Sequence, residues 1–215
     1  MYPAKDSKKD QQYYLFELDQ KHLNKILFPL SDYTKDEIRQ IAIENDLPSK
    51  SSKESQDICF IEKPMTTKKY ITEKFGIKKG DFILINTEKK LGTHDGFYQY
   101  TIGQRKGIGI AYEQPLYVVK LDAEKNIVYV GTKQDLFKDS LKIKDVKFQY
   151  ETNEKSFDAL VKIRYNMDAK KAHIEIEENK ASINFYEPVS SITSGQAAVF
   201  YDIKDHHLIG GGWIE

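Results

Sequence analysis

The chain has 215 residues, of which 40% are hydrophobic and 12% aromatic. This is enough for one ordinary domain or two small ones, and the aromatic content argues against disorder. The 33 basic and 33 acidic residues give zero formal charge, which counts against a dedicated nucleic-acid binder, although a local basic face could still contact phosphates. With no apolar run near the ~20 residues of a membrane span and no signal-peptide-like start, we expect a soluble, cytoplasmic protein without a membrane partner.

Residues 1–62 are predicted to be helical with a polar loop at 49–56. Thr34 is a good N-cap, and Glu37 completes a capping box three positions later. The helix that follows is predicted to bury an apolar stripe of Ile38, Ile41 and Ala42. The polar, lysine-rich start and the long loop indicate that this piece is not a complete domain.

The remainder divides into a small mixed segment at 63–118 and an all-β region at 119–215. A second helix is predicted from about Thr67 to Phe75, with Gly76 just beyond its end. Further on, short alternating segments separated by turns are typical of strands, and their number indicates an antiparallel sandwich or closed barrel. The predicted fold class is α+β: a short helical N-terminal remnant, a small mixed central domain and a C-terminal antiparallel β-barrel. We expect one set of apolar side chains to point into the barrel together: Val161, Ile163, Ile174, Ile176, Ile183 and Phe185.

Cys59 is the single cysteine, so it cannot form an internal disulfide or build a thiolate metal cage. It follows a polar loop and lies in the apolar run Ile58–Ile61. One interpretation is a buried cysteine acting as a small hydrophobe. The other is a thiolate nucleophile or sulfur carrier, which would need a lowered pKa and access to a partner.

Two glycine-dense motifs lie at 92–96 and 103–109. Neither has the spacing of a phosphate-binding Walker loop or the strand-to-helix setting of a dinucleotide fingerprint. They are either turns whose glycines adopt positive φ, or places where the backbone approaches a polyanion with Arg105 and Lys106 on its phosphates.

Three other features favour structural roles when taken alone. His206 and His207 lie in an apparent hairpin turn without an acidic or cysteine ligand at suitable spacing, so no metal is predicted. Arg164 should share an outer barrel face with Lys162, either solvated or on RNA phosphate. Gly210–Gly212 indicates a bulge or a tight barrel corner.

A series of short motifs, in order along nearly the whole chain, resembles the tRNA-specific 2-thiouridylase family. The motifs are Lys9-Asp10-Gln11, Tyr13–Leu15, Phe28–Leu30, Ile38–Ala42, Ser55–Ile61, Gly92–Gly96, Thr101–Ile110, Pro115–Val119, Arg164-Tyr165, Thr193–Gln196, Val199–Tyr201 and Gly210–Gly212. The resemblance implies that 1–62 is the tail of an ATP-pyrophosphatase domain, 63–118 a central tRNA-contacting domain and 119–215 a β-barrel domain.

The resemblance also implies the reaction, which is thiolation of the wobble uridine of tRNA at C2. ATP, as co-substrate, adenylates the uridine oxygen, and a protein persulfide replenished by a sulfur-donor protein then delivers sulfur. Cys59 matches the persulfide carrier. The residues that match tRNA contacts are Lys9, Asp10, Gln11, Arg164, Tyr165 and Gln196, to which the glycine motif adds Arg105 and Lys106. Gln12 and Glu54 depart from the residues common in the family.

The family's S-G-G-x-D-S phosphate loop and its other catalytic cysteine are absent from these residues. We therefore expect no ATP site in this chain. Either the chain is a fragment of a longer protein, or it is a truncated form that has a separate ATP-pyrophosphatase domain or subunit as a partner. Two alternatives to a sulfurtransferase part are a stand-alone tRNA-binding module without catalysis and a degenerate protein with neither role. Of these three hypotheses, only the sulfurtransferase part predicts a reactive Cys59.

Overall fold

A computed structural model describes residues 1–51, 60–61 and 64–215. The chain forms two compact units. Unit 1 comprises Met1–Lys53, Asp139–Val189 and Thr193–Glu215, and unit 2 comprises Glu54–Lys138 and Ser190–Ile192. The fold is α+β, as predicted. None of the helices in the described ranges combines the length and apolar character that crossing a membrane requires.

The N-terminal part of unit 1 contains a short 3-10 helix at Gln12–Tyr14, helix α1 at Gln20–Leu23, helix α2 at Lys35–Glu44 and a 3-10 turn at Pro48–Ser51. The predicted capping box of α2 is confirmed. The Thr34 hydroxyl accepts a hydrogen bond from the Glu37 N–H at 3.3 Å, and the Glu37 carboxylate accepts from the Thr34 N–H at 2.6 Å. These two bonds satisfy amides that a helix start otherwise leaves unpaired.

Unit 2 contains helix α3 at Thr67–Phe75 and four strands, which are β1 at Gly80–Leu84, β2 at Lys90–His94, β3 at Tyr117–Asp122 and β4 at Ile127–Gly131. They form one sheet in the order β2-β1-β4-β3, in which β1 and β4 are parallel. Helix α3 has the predicted bounds and ends at Gly76, whose φ of 74° is readily adopted by glycine. The core of this unit comprises Phe82, Leu84, Ile108, Leu116, Val118, Val128 and Val130.

The remaining strands are β5 at Phe137–Phe148, β6 at Ser156–Lys162, β7 at Lys170–Glu177, β8 at Lys180–Ser190, β9 at Ala197–Tyr201 and β10 at Leu208–Ile214. They close into a barrel in the order β10-β5-β8-β7-β6-β9. Closure removes the unpaired edges that short strands would otherwise expose. The predicted closed barrel is therefore confirmed. Ile176 is half-buried, and the other predicted interior residues are buried: Val161, Ile163, Ile174, Ile183 and Phe185.

The strand pairing excludes β3 and β4 from the barrel, which was predicted to begin at residue 119. That boundary falls inside β3, and β3 and β4 belong to the sheet with β1. The physical reason is that Val128 and Val130 of β4 pack with Phe82 of β1 in the core of unit 2. The N-terminal segment, expected as a separate piece, is grouped with the barrel.

Gly210–Gly212 lies in β10, where the strand register shifts against both neighbouring strands, as the predicted bulge requires. A Cβ atom on Gly210 would collide with the carbonyl oxygen of Lys147. A Cβ on Gly211 would lie 2.7 Å from the carbonyl oxygen of Ala198. The barrel backbones therefore approach each other here more closely than a side chain allows.

The segment around the first 3-10 helix packs on the barrel. Tyr13 and Phe16 are buried against strands β9 and β10, and the Phe16 ring lies 5.5 Å from that of Trp213. The side chain of Gln149, 1% exposed, donates to the carbonyls of Phe16, at 3.0 Å, and Leu18. These contacts fix the residues just before Tyr13 against one end of the barrel.

Candidate nucleic-acid interface

Lys9, Asp10 and Gln11 lie in one tight turn of unit 1. The Asp10 carboxylate accepts hydrogen bonds from the backbone N–H groups of Ala4 at 2.6 Å and Gln12 at 2.8 Å. Asp10 therefore shapes the turn with oxygens directed at its own backbone. The Gln11 side-chain amide donates to the Lys9 carbonyl at 3.3 Å, which joins the outer two residues of the motif.

Arg164 and Tyr165 lie beyond the end of β6, in its connection to β7. Strand alternation alone would turn Tyr165 inward, and the early end of the strand at Lys162 leaves it half-buried at the surface instead. The Met167 N–H donates to the Arg164 carbonyl at 3.3 Å, so this connection is itself a turn. Contact between Tyr165 and RNA requires a strand end or a bulge at this point, and the strand ends at Lys162.

The N-terminal turn and the β6–β7 turn meet. The Gln11 amide donates to the Tyr165 hydroxyl at 3.1 Å. The rings of Tyr14 and Tyr165 lie 4.9 Å apart with an interplanar angle of 32°, and the Lys162 ammonium lies 5.7 Å from the Tyr165 ring centroid. Tyr14 is 59% exposed. The result is an accessible aromatic pair with a cation beside it, which is a surface suited to bases and phosphates.

A third segment, Thr193–Gln196, adjoins Arg164. The Arg164 guanidinium donates to the Thr193 hydroxyl at 2.7 Å. The Gln196 N–H donates to the Thr193 carbonyl at 3.2 Å, and the Gln196 carbonyl accepts from the Ile214 N–H at 2.8 Å. Gln196 is thereby held by its backbone, with its side chain exposed. The structure thus brings five candidates from the sequence analysis into one region of unit 1: Asp10, Gln11, Arg164, Tyr165 and, through Thr193, Gln196.

The buried tyrosines beneath this surface, Tyr13 and Tyr201, are uncharged. Burial raises the pKa of Tyr13 to about 12, so its hydroxyl stays protonated and donates to the Ala197 carbonyl at 3.0 Å. Burial also raises the pKa of Tyr201, and the nearby Asp10 carboxylate adds to that increase. Both phenols are therefore neutral supports, and the positive charge comes from Arg164 and Lys162.

Tyr14, Lys162 and Thr193 were not among the site residues taken from the sequence. Tyr14 lies in a segment that matches the family, but a tyrosine in a chain with fourteen gives no local signal. Lys162 was expected on the same barrel face as Arg164, whereas only the folded contacts place Tyr14 beside Tyr165 and Thr193 beside Arg164.

Arg105 and Lys106 lie in unit 2, in the exposed loop between a 3-10 turn at Phe97–Gln99 and β3. Gly103, Gly107 and Gly109 have φ between 73° and 88°, whereas Gly92 lies within β2 with no such requirement. Of the first glycine motif, only Gly96 has positive φ. The loop 105–116 encloses an open cleft of about 400 Å³. Positive-φ glycines beside two cations suit the approach of a polyanion.

Cys59 lies outside the described residues, as does the rest of 52–59. The adjacent Phe60 is in a turn, is 66% exposed, and has its ring 5.8 Å from that of Tyr70. The choice between a structural and a sulfur-carrying Cys59 therefore stays a prediction.

Two other clusters of polar side chains occur in unit 1. Asp202, Asp205 and His207 place ligand-type atoms within 4.8 Å of one another in the β9–β10 turn, so the expectation that no acidic residue lies at ligand spacing from the histidines was wrong. The structure has an Asp205–His207 hydrogen bond of 2.6 Å there. The Asp202 and Asp205 carboxylates already accept hydrogen bonds from backbone N–H groups of the turn itself, and we assign no ion to them.

The second group is a chain of hydrogen bonds on the outer barrel face. Ser156 contacts His173 at 3.0 Å, and His173 contacts Asp158 at 2.9 Å. The His173 bond, with Lys171 and Tyr186 as further partners, lowers the pKa of Asp158 to about 2. A catalytic relay of this kind depends on a buried carboxylate devoted to its histidine. Asp158 is instead shared among three partners at the surface, which indicates a structural network.

Three family models match the chain in succession. They are the tRNA methyl transferase HUP domain over residues 1–63, the tRNA methyl transferase PRC-barrel domain over 68–132 and the aminomethyltransferase β-barrel domain over 138–214. The last match begins close to the observed start of β5.

Relatives match over almost the whole chain. A tRNA-specific 2-thiouridylase MnmA of Carboxydothermus hydrogenoformans is 40% identical over 98% of this chain and 58% of its own length. Proteins of the same name from a Hydrogenobaculum species and from Sulfurimonas denitrificans are 42% and 39% identical over 59% and 62% of their lengths. The chain spans about three fifths of the length of these relatives. Together the successive domain models and these relatives show that the chain belongs to the tRNA-specific 2-thiouridylase (MnmA/TrmU) family.

Proposed function

We propose that this chain takes part in 2-thiolation of the wobble uridine of tRNA, and that it supplies the tRNA-binding surface and the persulfide cysteine. The observation that carries the proposal is the meeting of Gln11, Arg164 and Tyr165 at one end of the barrel. Gln11 lies 154 positions before Tyr165, and the combination of a donor, a cation and a ring at the surface suits contact with a folded RNA.

On this surface each side chain has a distinct task. The Arg164 guanidinium, held in place by Thr193, contacts phosphate, with Lys9 as a further cation. The Tyr14–Tyr165 pair stacks against a base or ribose. Gln196, exposed beside Arg164, contacts a sugar or base edge, and Asp10 keeps the N-terminal turn in shape. In unit 2, Arg105 and Lys106 contact phosphate at the glycine loop.

The sulfur step uses Cys59 as the carrier. The terminal sulfur of a Cys59 persulfide attacks C2 of an O2-adenylated uridine, AMP leaves with the oxygen, and the S–S bond breaks as a second thiol forms a disulfide with Cys59. Because Cys59 is the only cysteine of these 215 residues, the second thiol belongs to a partner. ATP and its binding site likewise come from a separate ATP-pyrophosphatase domain or subunit, and a sulfur-donor protein restores the persulfide, all in the cytoplasm.

The binding proposal is tested by tRNA affinity as a function of salt. Arg164→Ala should weaken binding and reduce the slope of log affinity against log salt by about one. Arg39→Ala is the control, because Arg39 is an arginine of unit 1 that lies on α2, is exposed and contacts Asp36 at 4.0 Å. Equal affinity and slope for Arg164→Ala and the intact chain would exclude Arg164 from the interface.

Persulfide loading of Cys59 distinguishes the proposed function from the alternative, a tRNA-binding module without catalysis. If Cys59 carries sulfur, loading the chain with a donor such as a cysteine desulfurase should place a persulfide on it, removable by a reducing thiol. A chain that binds tRNA normally but never accepts persulfide sulfur would favour the stand-alone module.

A further inference from the structure

A cleft of about 510 Å³ lies beside the last strand of the barrel, in unit 1. Its lining residues come from β5, from the turn before β9 and from the end of the chain at β10: Lys144, Ser194, Gly195, Trp213, Ile214 and Glu215. Pockets that hold small organic ligands measure roughly 300–1,000 Å³. The cleft is therefore large enough for one flat ring with a charged group attached to it.

Trp213 and Lys144 provide a ring and a cation on the same face of the sheet. In the antiparallel pairing of β10 with β5, Trp213 lies opposite Lys144, and side chains so placed have Cβ atoms about 5 Å apart. Trp213 is half-buried, its ring packs edge to face on Phe16 at 5.5 Å, and its Nε1–H donates to the Glu17 carboxylate at 3.2 Å. The Glu17 carboxylate also lies 3.7 Å from the Lys147 ammonium, so its charge is matched. The indole is thus held in one orientation at the wall of the cleft.

The charge beside the cleft is positive. Glu215 is the acidic residue among those that line it, and the Lys180 ammonium forms a 2.9 Å ion pair with its carboxylate. The Lys180 hydrogen bond lowers the pKa of Glu215, and the charges of Lys144 and Lys142 act in the same direction. Lys142 and Lys144 are both exposed. Three lysines therefore surround one carboxylate, which favours an anionic ligand.

The cleft is continuous with the surface around Arg164. Ser194 and Gly195 directly follow Thr193, whose hydroxyl accepts the 2.7 Å hydrogen bond from the Arg164 guanidinium. The Gly195 N–H donates to the Ile214 carbonyl at 2.9 Å, which ties this turn to β10. A Cβ atom at Gly195 would meet nothing within 4 Å, so the turn leaves the cleft open. Because Thr193 and Gly195 are at most about 7 Å apart along the chain, an RNA strand bound at Arg164 reaches the cleft within a few nucleotides.

We propose that this cleft binds one unpaired nucleotide of the tRNA. The base stacks on the Trp213 indole, and the adjoining phosphate contacts the Lys144 ammonium. The identity of the RNA rests on the proposed function, whereas the class of ligand rests on the ring, the cation and the size of the cleft. A free nucleotide has the same chemistry and is the competing occupant.

The test uses the fluorescence of Trp213, which is the only tryptophan of the chain and therefore reports directly on the cleft. The full chain is titrated with tRNA, with a short single-stranded oligoribonucleotide, and with AMP and ATP. Quenching of N-acetyltryptophanamide by the same additions corrects for absorption by the bases. We expect saturable quenching by tRNA and by the oligoribonucleotide, because a stacked base lies against the indole.

Substitutions at the cleft are compared by anisotropy of labelled tRNA. Lys144→Gln should weaken binding and reduce the slope of log affinity against log salt by about one. Lys155→Gln is the matched control, because Lys155 is also an exposed lysine of unit 1 and does not line the cleft. Trp213→Leu should lower the affinity about fivefold or more, whereas Trp213→Phe retains a stacking ring and should keep most of it. Thermal melting followed by circular dichroism verifies that each variant is folded.

Three results would overturn the proposal. The first is Trp213 emission that does not change although anisotropy shows that tRNA is bound. The second is a Lys144→Gln variant whose affinity and salt slope equal those of the intact chain. The third is saturable quenching by AMP or ATP without quenching by tRNA, which would assign the cleft to a free nucleotide.

The same measurements separate this inference from the proposed function. If Arg164→Ala weakens tRNA binding and Lys144→Gln does not, the proposed function stands and the cleft is removed from the interface. If the oligoribonucleotide quenches Trp213 in the intact chain but not in Lys144→Gln, while tRNA does not bind at all, the cleft remains a nucleotide site and the proposed function fails.

Discussion

The side-chain amide of Gln11 donates a 3.1 Å hydrogen bond to the hydroxyl of Tyr165, 154 positions further along the chain. This bond joins the N-terminal turn to the β6–β7 turn. It also fixes the Tyr165 ring, which lies 4.9 Å from the ring of Tyr14. A preorganised ring pair loses little conformational freedom when a base stacks on it, so most of the stacking energy is available for binding.

Tyr14→Ala should therefore weaken tRNA binding, by about 1 kcal/mol or more, because base–aromatic stacking contributes about 1–3 kcal/mol per base. Tyr186→Ala is the matched control, since Tyr186 is also a 59% exposed tyrosine of unit 1 but contacts Asp158 and Lys171 instead. Fluorescence anisotropy with labelled tRNA measures both. Equal effects of the two substitutions would remove the Tyr14–Tyr165 pair from the interface.

The hydrogen bonds from Gln149 to the Phe16 and Leu18 carbonyls hold the N-terminal segment on the barrel, and a substitution tests their contribution. Gln149→Leu should destabilise the barrel unit by about 1–3 kcal/mol, because the Phe16 and Leu18 carbonyls lose their buried donor. Urea unfolding followed by the fluorescence of Trp213, the only tryptophan, reports this directly, since Phe16 packs on its ring. Gln40→Leu, on the exposed side of α2, should change stability little. A similarly small change for Gln149→Leu would show that the Gln149 hydrogen bonds add no stability.

The local elements could be predicted from the sequence, and the long-range pairings could not. Helix α3 has the expected bounds, since its capping residues and apolar periodicity are encoded within a few positions. Strand β5 was missed because its lysines and aspartates outnumber the two buried side chains, Leu141 and Ile143. Its strand conformation is determined by pairing with β8 and β10.

In the candidate interface, too, local features could be predicted from the sequence and long-range contacts could not. Arg164 and Tyr165 could be named from a motif, but strand alternation would have turned Tyr165 inward, and the end of β6 at Lys162 depends on the barrel as a whole. The partnership of Tyr165 with Gln11 and Tyr14 depends on the packing of Tyr13 and Phe16 on β9 and β10. No local pattern encodes contacts across more than 150 residues.

His94 should make unit 2 sensitive to acid. It is buried, and its Nδ1 atom accepts the Gly96 N–H at 3.1 Å, which requires the neutral ring. Burial lowers the pKa of His94, against the opposing pull of Asp81 and Asp95. The unfolded chain therefore binds this proton more readily, so the contribution to stability is complete above the unfolded pKa of about 6.5 and is lost as the pH falls below it.

Hydrogen exchange at the β1 amides, corrected for the intrinsic effect of pH, measures this loss. His94→Asn, which retains an acceptor but does not titrate, should flatten the pH dependence below about 6.5. His173→Asn, in unit 1, should leave the pH dependence of β1 unchanged. An intact chain whose β1 protection does not vary between neutral pH and pH 5 would contradict the prediction.

The bulge in β10 should be intolerant of any side chain. Gly210→Ala should cost at least about 1–3 kcal/mol, because its Cβ meets the Lys147 carbonyl and the closed barrel cannot widen locally. Gly195→Ala is the comparison, since its Cβ would enter open space and only its φ of 79° is unfavourable, for about 1–2 kcal/mol. Urea unfolding monitored by Trp213 compares them, and a Gly195→Ala cost equal to or above that of Gly210→Ala would contradict the close approach.

Cys59 should react as an accessible thiolate. Persulfide transfer requires the sulfur to meet a donor and then the activated uridine, so the thiol must be reachable and ionised near neutral pH. The polar residues before it and the 66% exposure of the adjacent Phe60 favour access, while the apolar run Ile58–Ile61 favours burial. Alkylation by iodoacetamide across a pH series distinguishes the two. A carrier should label quickly, with half-maximal rate below pH ~8.5, the ordinary value for a thiol, and a Cys59→Ser variant should not label. Labelling that requires denaturant would identify a buried structural cysteine and withdraw the carrier role from this chain.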